Sequence, residues 1–317
     1  MKNKMAVFVC GVLVIGCVAG SACSKLDDIP YVFKGVVQLD TYNLPPVDII
    51  LKTDLPESIP TIVAYKIVRP KIDDKYASNI AKQLGFTGNS VPLGNEERIV
   101  YTYVSGEQIL EVWLNGYILL YGNIDLKIPT NLPSDEECVA IATKWLKDNN
   151  MCPDNVVSIT TSPRGGVQFL NSETGRLEDS YRIGTEVTFS IAIDDVAVES
   201  GGATVVIGDN GTILRMETHK YSYEKAFDVS LIEASKALKI MEDRLTSPTP
   251  PDPENIECIV NMRSFSNLEI TGVALNYQYS TSNGYLLPIY VFTGDAYDEN
   301  VPDKMYGFVG KVDATSR

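Results

Sequence analysis

The sequence is poor in the side chains from which most active sites are built: it has a single histidine, His219, two tryptophans and six cysteines in 317 residues. With one histidine and no cysteine pair at ligand spacing, the sequence offers no zinc site. His219 follows the strand-like run Ile213 to Thr218, where it reads as an exposed or edge-strand residue. As a general base it would need a nucleophile and an orienting carboxylate, which sequence alone cannot place. No Gly-x-Ser-x-Gly, Walker loop or Gly-x-Gly-x-x-Gly occurs, so no hydrolase elbow or nucleotide cradle is expected, and neither is a cofactor. Basic residues are also scarce, 27 Lys and Arg against 41 Asp and Glu for a net charge of −14. Nucleic acid and anionic lipid surfaces bind clustered cations, so neither is an expected partner.

The remaining chemical candidates each have a plainer explanation. Ser222-Tyr-Glu-Lys225 has the spacing in which a lysine activates a serine, but its companion elements are missing and it falls in an expected strand-to-helix loop. Asp73-Asp74 and Glu136-Glu137 open helices, where negative charge favours the dipole, and Asp194-Asp195 suits a turn. The acidic stretch 295–303 holds Asp295, Asp298, Glu299, Asn300 and Asp303 but lacks EF-hand spacing, and it reads as a solvated loop. Asn210-Gly-Thr212 matches a glycosylation sequon but serves better as a hairpin turn. Six tyrosines near the C-terminus, Tyr277, Tyr279, Tyr285, Tyr290, Tyr297 and Tyr306, suit a binding surface and a sheet equally well.

What the chain does have begins at its start. Lys2 and Lys4 precede an uncharged run, Met5 to Ala22, followed by Cys23-Ser-Lys-Leu-Asp27. A basic start, a short apolar core and a cysteine with a polar exit read as a secretion signal over 1–22, with lipid attachment at Cys23. Cys17 is the alternative lipid site, having the better aliphatic residue upstream. An uncleaved membrane anchor is the competing reading, since ~20 apolar residues span a bilayer. With Cys23 lipidated, Cys138, Cys152 and Cys258 remain; the first two flank one expected helix at ~20 Å, too far for a disulfide.

The rest of the chain is globular in composition, 44% hydrophobic and 21% charged. Residues 23–60 carry Pro30, Pro45, Pro46, Pro56 and Pro60 and read as a tether. Helices are expected over 73–84, 134–148 and 230–245. The last two open on the capping boxes Ser134-Asp-Glu-Glu137 and Ser230-Leu-Ile-Glu233, and the first ends at Gly85. Asn115-Gly116, Asn210-Gly211 and Asn283-Gly284 each separate strand-like runs, a strong hairpin signal. Helix, strands and Asn-Gly hairpin thus recur three times, predicting an α+β fold of repeated antiparallel sheet on one helix per unit, over 61–130, 131–228 and 229–317.

Three stretches carry a family resemblance. Leu132-Pro-Ser-Asp-Glu-Glu-Cys-Val-Ala-Ile-Ala-Thr-Lys-Trp-Leu146, Val187-Thr-Phe-Ser-Ile-Ala-Ile-Asp-Asp-Val-Ala-Val198 and Ala203-Thr-Val-Val-Ile-Gly-Asp-Asn-Gly-Thr-Ile213 resemble the helix, long strand and closing hairpin of PepSY-like domains. Leu287-Pro-Ile-Tyr-Val-Phe-Thr-Gly294 resembles the terminal strand of YycI/YycH-type extracytoplasmic regulators. The resemblance implies tandem modules that bind or restrain a partner, and it carries over no catalytic residue. The expectation is a surface-anchored, non-enzymatic lipoprotein that binds a protein partner or cell-envelope component. The alternative is an envelope hydrolase using paired carboxylates or a serine nucleophile. Cells fed a labelled lipid precursor should tag this protein, and Cys23→Ala should abolish the tag. Loss of the tag with Cys17→Ala instead would move the attachment upstream, and if neither substitution matters the segment is a membrane helix.

Overall fold

All three apolar stripes form helices, and each lies against a sheet. The computed structural model describes residues 4–9, 47–88, 90–93, 100–122, 129–171, 177–245, 258–259, 266–280, 284–298 and 301–316. In chain order the elements begin with β1 (Lys4–Val9), β2 (Asp48–Leu51), β3 (Thr61–Val68), α1 (Asp74–Gln83), β4 (Val91–Leu93), β5 (Val100–Ser105), β6 (Gln108–Trp113) and β7 (Tyr117–Gly122). Next come α2 (Asp135–Asp148), β8 (Val156–Asn171), β9 (Leu177–Ile193), β10 (Val196–Ala197), β11 (Ala203–Ile207) and β12 (Ile213–His219). The chain closes with β13 (Ser222–Ser230), α3 (Ala234–Leu245), β14 (Cys258–Ile259), β15 (Asn267–Ser280), β16 (Tyr285–Asp298) and β17 (Val301–Asp313).

The architecture is α+β and mostly sheet, arranged as two compact units. The first holds Ile67–Tyr223 with β1, and the second holds Glu224–Arg317 with the described part of Leu13–Lys66. The stretches 61–130 and 131–228, which the repeat reading keeps apart, thus contribute strands to one sheet over one core. Asn-Gly spacing could not reveal this, because a hairpin signal says which strands are joined and not which sheet they enter.

In the first unit the described strands run β1-β8-β9-β11-β12-β7-β6-β5-β4, every neighbour antiparallel. Helices α1 and α2 cover the same face. Ala77, Ile80 and Ala81 from α1, with Cys138, Ala142 and Leu146 from α2, meet Leu110, Val112, Ile118, Leu120, Val187, Phe189, Val205 and Met216 of the sheet. Trp145 is half-buried at the rim of this core, one position off the centre of the stripe, so it does not anchor the helix as its size suggests.

The helix ends follow local chemistry. Asp73 caps α1 by accepting from the Tyr76 amide, and Ser134 with Glu137 closes the expected capping box on α2. Beyond α1, Gly85 takes φ 83° and the Phe86 amide donates to the Ala81 carbonyl. Asn150, at φ 46°, plays the same part after α2 and brings Met151 into the core. Asp209 accepts from the Thr130 and Asn131 amides at 3.0 and 2.6 Å, tying the β11–β12 turn to the approach of α2. The Asn115-Gly116 and Asn210-Gly211 turns both join antiparallel strands as expected. The third also joins such strands, with Gly284 at φ 74°, while Asn283 lies outside the described residues.

The second unit is built on β16, which pairs with β15, β17 and β3; β2 lies parallel to β15 at one edge and β13 at the other. Three expectations change here. The segment from Val47 is no tether: β2 joins the sheet, Val47 is buried and Leu55 packs on the core. Its prolines are consistent with an edge position. Ser230 does not cap α3, which starts four residues later at Ala234. The backbone of 230–232 is already engaged, Ser230 accepting from Ser316, Leu231 donating to Pro60 and Ile232 to Ala314. Tertiary pairing therefore overrides the local box. Of the expected acidic loop, Asp295 and Asp298 lie within β16 and Asp303 within β17, while Glu299 and Asn300 lie outside the described residues.

Both tryptophans lie in the first unit, so their fluorescence reports its unfolding. In urea, Leu146→Ala should cost about 2–5 kcal/mol and Ser134→Ala about 1 kcal/mol. A fragment 61–317 should be less stable than 47–317 by calorimetry, since it loses β2; equal stability would contradict the placement of that strand.

Candidate functional site

The other face of the first unit's sheet carries a contiguous grouping of polar and aromatic side chains. Along β6, β7 and β12 the odd-numbered residues alternate away from the helices. Strand register sets them in three rows: Ile109, Tyr121, Arg215; Glu111, Leu119, Glu217; and Trp113, Tyr117, His219. All nine are half-buried. The Asn115-Gly116 turn holds Trp113 opposite Tyr117, with Gly116 at φ 85° and the Asn115 carboxamide oxygen accepting from the Tyr117 amide at 3.0 Å.

The aromatic row is continuous. Trp113 meets Tyr117 edge-on at 6.1 Å, Tyr117 meets His219 at 5.0 Å, and Tyr221 stacks on His219 at 4.8 Å. The carboxylates beside it are tied down. Glu217 accepts from the Tyr117 hydroxyl at 2.6 Å and from the Arg215 guanidinium. Glu111 accepts from the Trp113 indole and the Tyr121 hydroxyl, both at 3.1 Å. Burial raises the Tyr117 pKa, and the carboxylate of Glu217 raises it further. Tyr121 is raised by burial and by Glu111. Both phenols therefore stay protonated and keep donating at neutral pH.

His219 is thus neither exposed nor on an edge, since β12 lies between β11 and β7. Its ring is packed between two tyrosines, and its Nδ1 is buried without a partner. Burial pulls its pKa below the usual value, against an opposing pull from Glu217. Ser222 and Lys225 lie in β13, not in a loop, and residues three apart on a strand point to opposite faces, so they form no dyad. Asp73 caps α1, Asp74 accepts from Ser90, Glu136-Glu137 open α2, and Asp194-Asp195 make the β9–β10 turn at φ 47° and 64°. Asn210 sits in its turn at φ 53°.

Among the described residues no group of three His, Cys, Asp or Glu is placed to hold a metal ion. Cys138 is buried and Cys152 half-buried, both as free thiols. Cys17 and Cys23 lie outside the described residues, and among those residues no helix is long and apolar enough to cross a membrane. Of the C-terminal tyrosines, Tyr277 and Tyr290 are core residues whose hydroxyls donate to the Val63 and Ile232 carbonyls. The aromatic surface comes from Trp113, Tyr117 and Tyr121 instead. Its signal in the sequence was the period-two run Ile109-x-Glu-x-Trp113 followed by Tyr117-x-Leu-x-Tyr121.

No protein-family model and no curated protein matches the chain. Among solved structures, the Bacillus megaterium YpeB C-terminal domain aligns at 14% identity and a TM-score of 0.36, over 76% of this chain and 99% of that one. That alignment transfers no residue and no role.

The depressed pKa of His219 makes a pH prediction. The unfolded chain takes up a proton near ~6.5 while the folded one resists it, so the stability is present above that pH and lost as pH falls toward the folded value. Replacing His219 with Phe should leave the first unit less sensitive to acidification between about pH 7.5 and 5.5. An unchanged slope of urea midpoint against pH would show that the imidazole does not titrate differently on folding.

Proposed function

We propose that the chain is a non-enzymatic, extracytoplasmic lipoprotein that binds a protein partner through the face built by β6, β7 and β12. The observation that carries this reading is the state of the polar groups on that face. Tyr117, Tyr121 and Trp113 each donate their one polar hydrogen within the protein, so a partner can cover these three rings without stranding a ring donor. Tryptophan, tyrosine and arginine are also the residues that dominate the energetics of protein interfaces. No serine or cysteine stands beside these carboxylates in the three rows, which counts against a hydrolase built on this face.

The extracytoplasmic placement rests on the sequence of residues 1–27, whose cleavage as a signal would remove β1 and leave β8 as the edge of the mature sheet, and the regulatory character rests on the resemblance to PepSY-like modules. A photo-crosslinking residue at position 119, at the centre of the three rows, should give one discrete adduct with an envelope protein in cells, identified by mass spectrometry. The same residue at position 144, whose lysine is 77% exposed on α2, should give none. Indiscriminate labelling at both positions, or turnover of a glycan or peptide library by the purified protein, would overturn the reading.

A further inference from the structure

The two carboxylates of this face form a near-symmetric pair around Leu119, and they differ in one respect. Both stand opposite Leu119 in the register, Glu111 from β6 and Glu217 from β12. Each accepts a tyrosine hydroxyl, Tyr121 onto Glu111 and Tyr117 onto Glu217. Glu217 is also met by a cation, the guanidinium of Arg215. Glu111 receives the neutral Trp113 indole in that place, and no cation of the described residues reaches it. A half-buried anion beside aromatic rings is an incomplete electrostatic arrangement, because partial desolvation is costly without an opposite charge.

We propose that Glu111, flanked by Trp113 and Tyr121, is the receptor for an arginine side chain of the protein partner. This rests on the binding reading above and names the chemistry of its central contact. The geometry favours arginine over lysine. Glu111 Oε1 and Oε2 each accept one donor already, leaving one acceptor position on each oxygen. A guanidinium fork fills two such positions at once, while its planar face stacks on an indole or phenol ring. Lysine offers a point charge that uses one position and cannot stack in the same way. The overall acidity of the chain, −14, adds long-range attraction for a basic partner.

The test uses the full chain carrying Trp145→Phe, which leaves Trp113 as the only indole. The probes are a hexapeptide, acetyl-Val-Thr-Val-Arg-Val-Thr-amide, and its uncharged isostere with citrulline in place of arginine. The arginine peptide should change Trp113 emission saturably, and citrulline should weaken binding at least about tenfold. Glu111→Gln should weaken the arginine peptide to a similar degree. Tyr121→Phe, which keeps the ring and frees an acceptor position on Oε1, should preserve binding. If Glu111→Gln fails to fold, the citrulline comparison still decides the matter. Equal affinity for the two peptides, or no response to either, overturns the arginine assignment. In that event a crosslink at position 119 that persists leaves the binding reading standing, and its absence removes both.

Discussion

The structure depends on the pleat of one large antiparallel sheet and the requirement that one of its faces be dry. Alternate residues of β6, β7, β11 and β12 face the helices, and those positions are almost entirely apolar and buried. Helices α1 and α2 can be short because neither stands alone: at ~25 cal/mol per Å² of apolar area, the sheet supplies the burial their narrow stripes cannot make themselves. Once the register is set by that face, every residue of opposite parity is committed to the other face. Glu111, Leu119 and Glu217 share a row because Leu110, Leu120 and Met216 had to reach the core.

The second face therefore works under a different rule. Its rings and carboxylates are half-buried, so each polar group needs a partner within the protein, and most have one. Tyr117 satisfies Glu217, Tyr121 satisfies Glu111, and Arg215 neutralises the first carboxylate and not the second. That leftover charge at Glu111 and the orphaned Nδ1 of His219 are where the network stops being self-contained. In the proposed binding role the rings would supply contact area and the unneutralised charge at Glu111 would set orientation.

Much of this was legible beforehand where the physics is local. The capping box at Ser134, the left-handed Gly85 and the Asn-Gly turns involve residues within a few positions of one another, and each appears as the residues dictate. Ser230 shows the limit. Its box is as good as that of Ser134, but pairing with residues 314–316 claims its backbone, and α3 begins later. Val47 to Leu51 shows the reverse case, a proline-flanked segment that looked like spacer until a distant strand, β15, gave it an edge to lie against.

By itself the sequence determined the α+β class, the three helices, the antiparallel hairpins and the scarcity of catalytic groups, because periodicity, turn residues and composition act over a few residues. Only tertiary structure decided that the first two expected units share a sheet, and that Glu111 and Glu217 stand on either side of Leu119. Those residues are separated by about a hundred positions in the chain. Their meeting is set by the pairing of β12 with β7, a long-range contact whose partner no local pattern specifies.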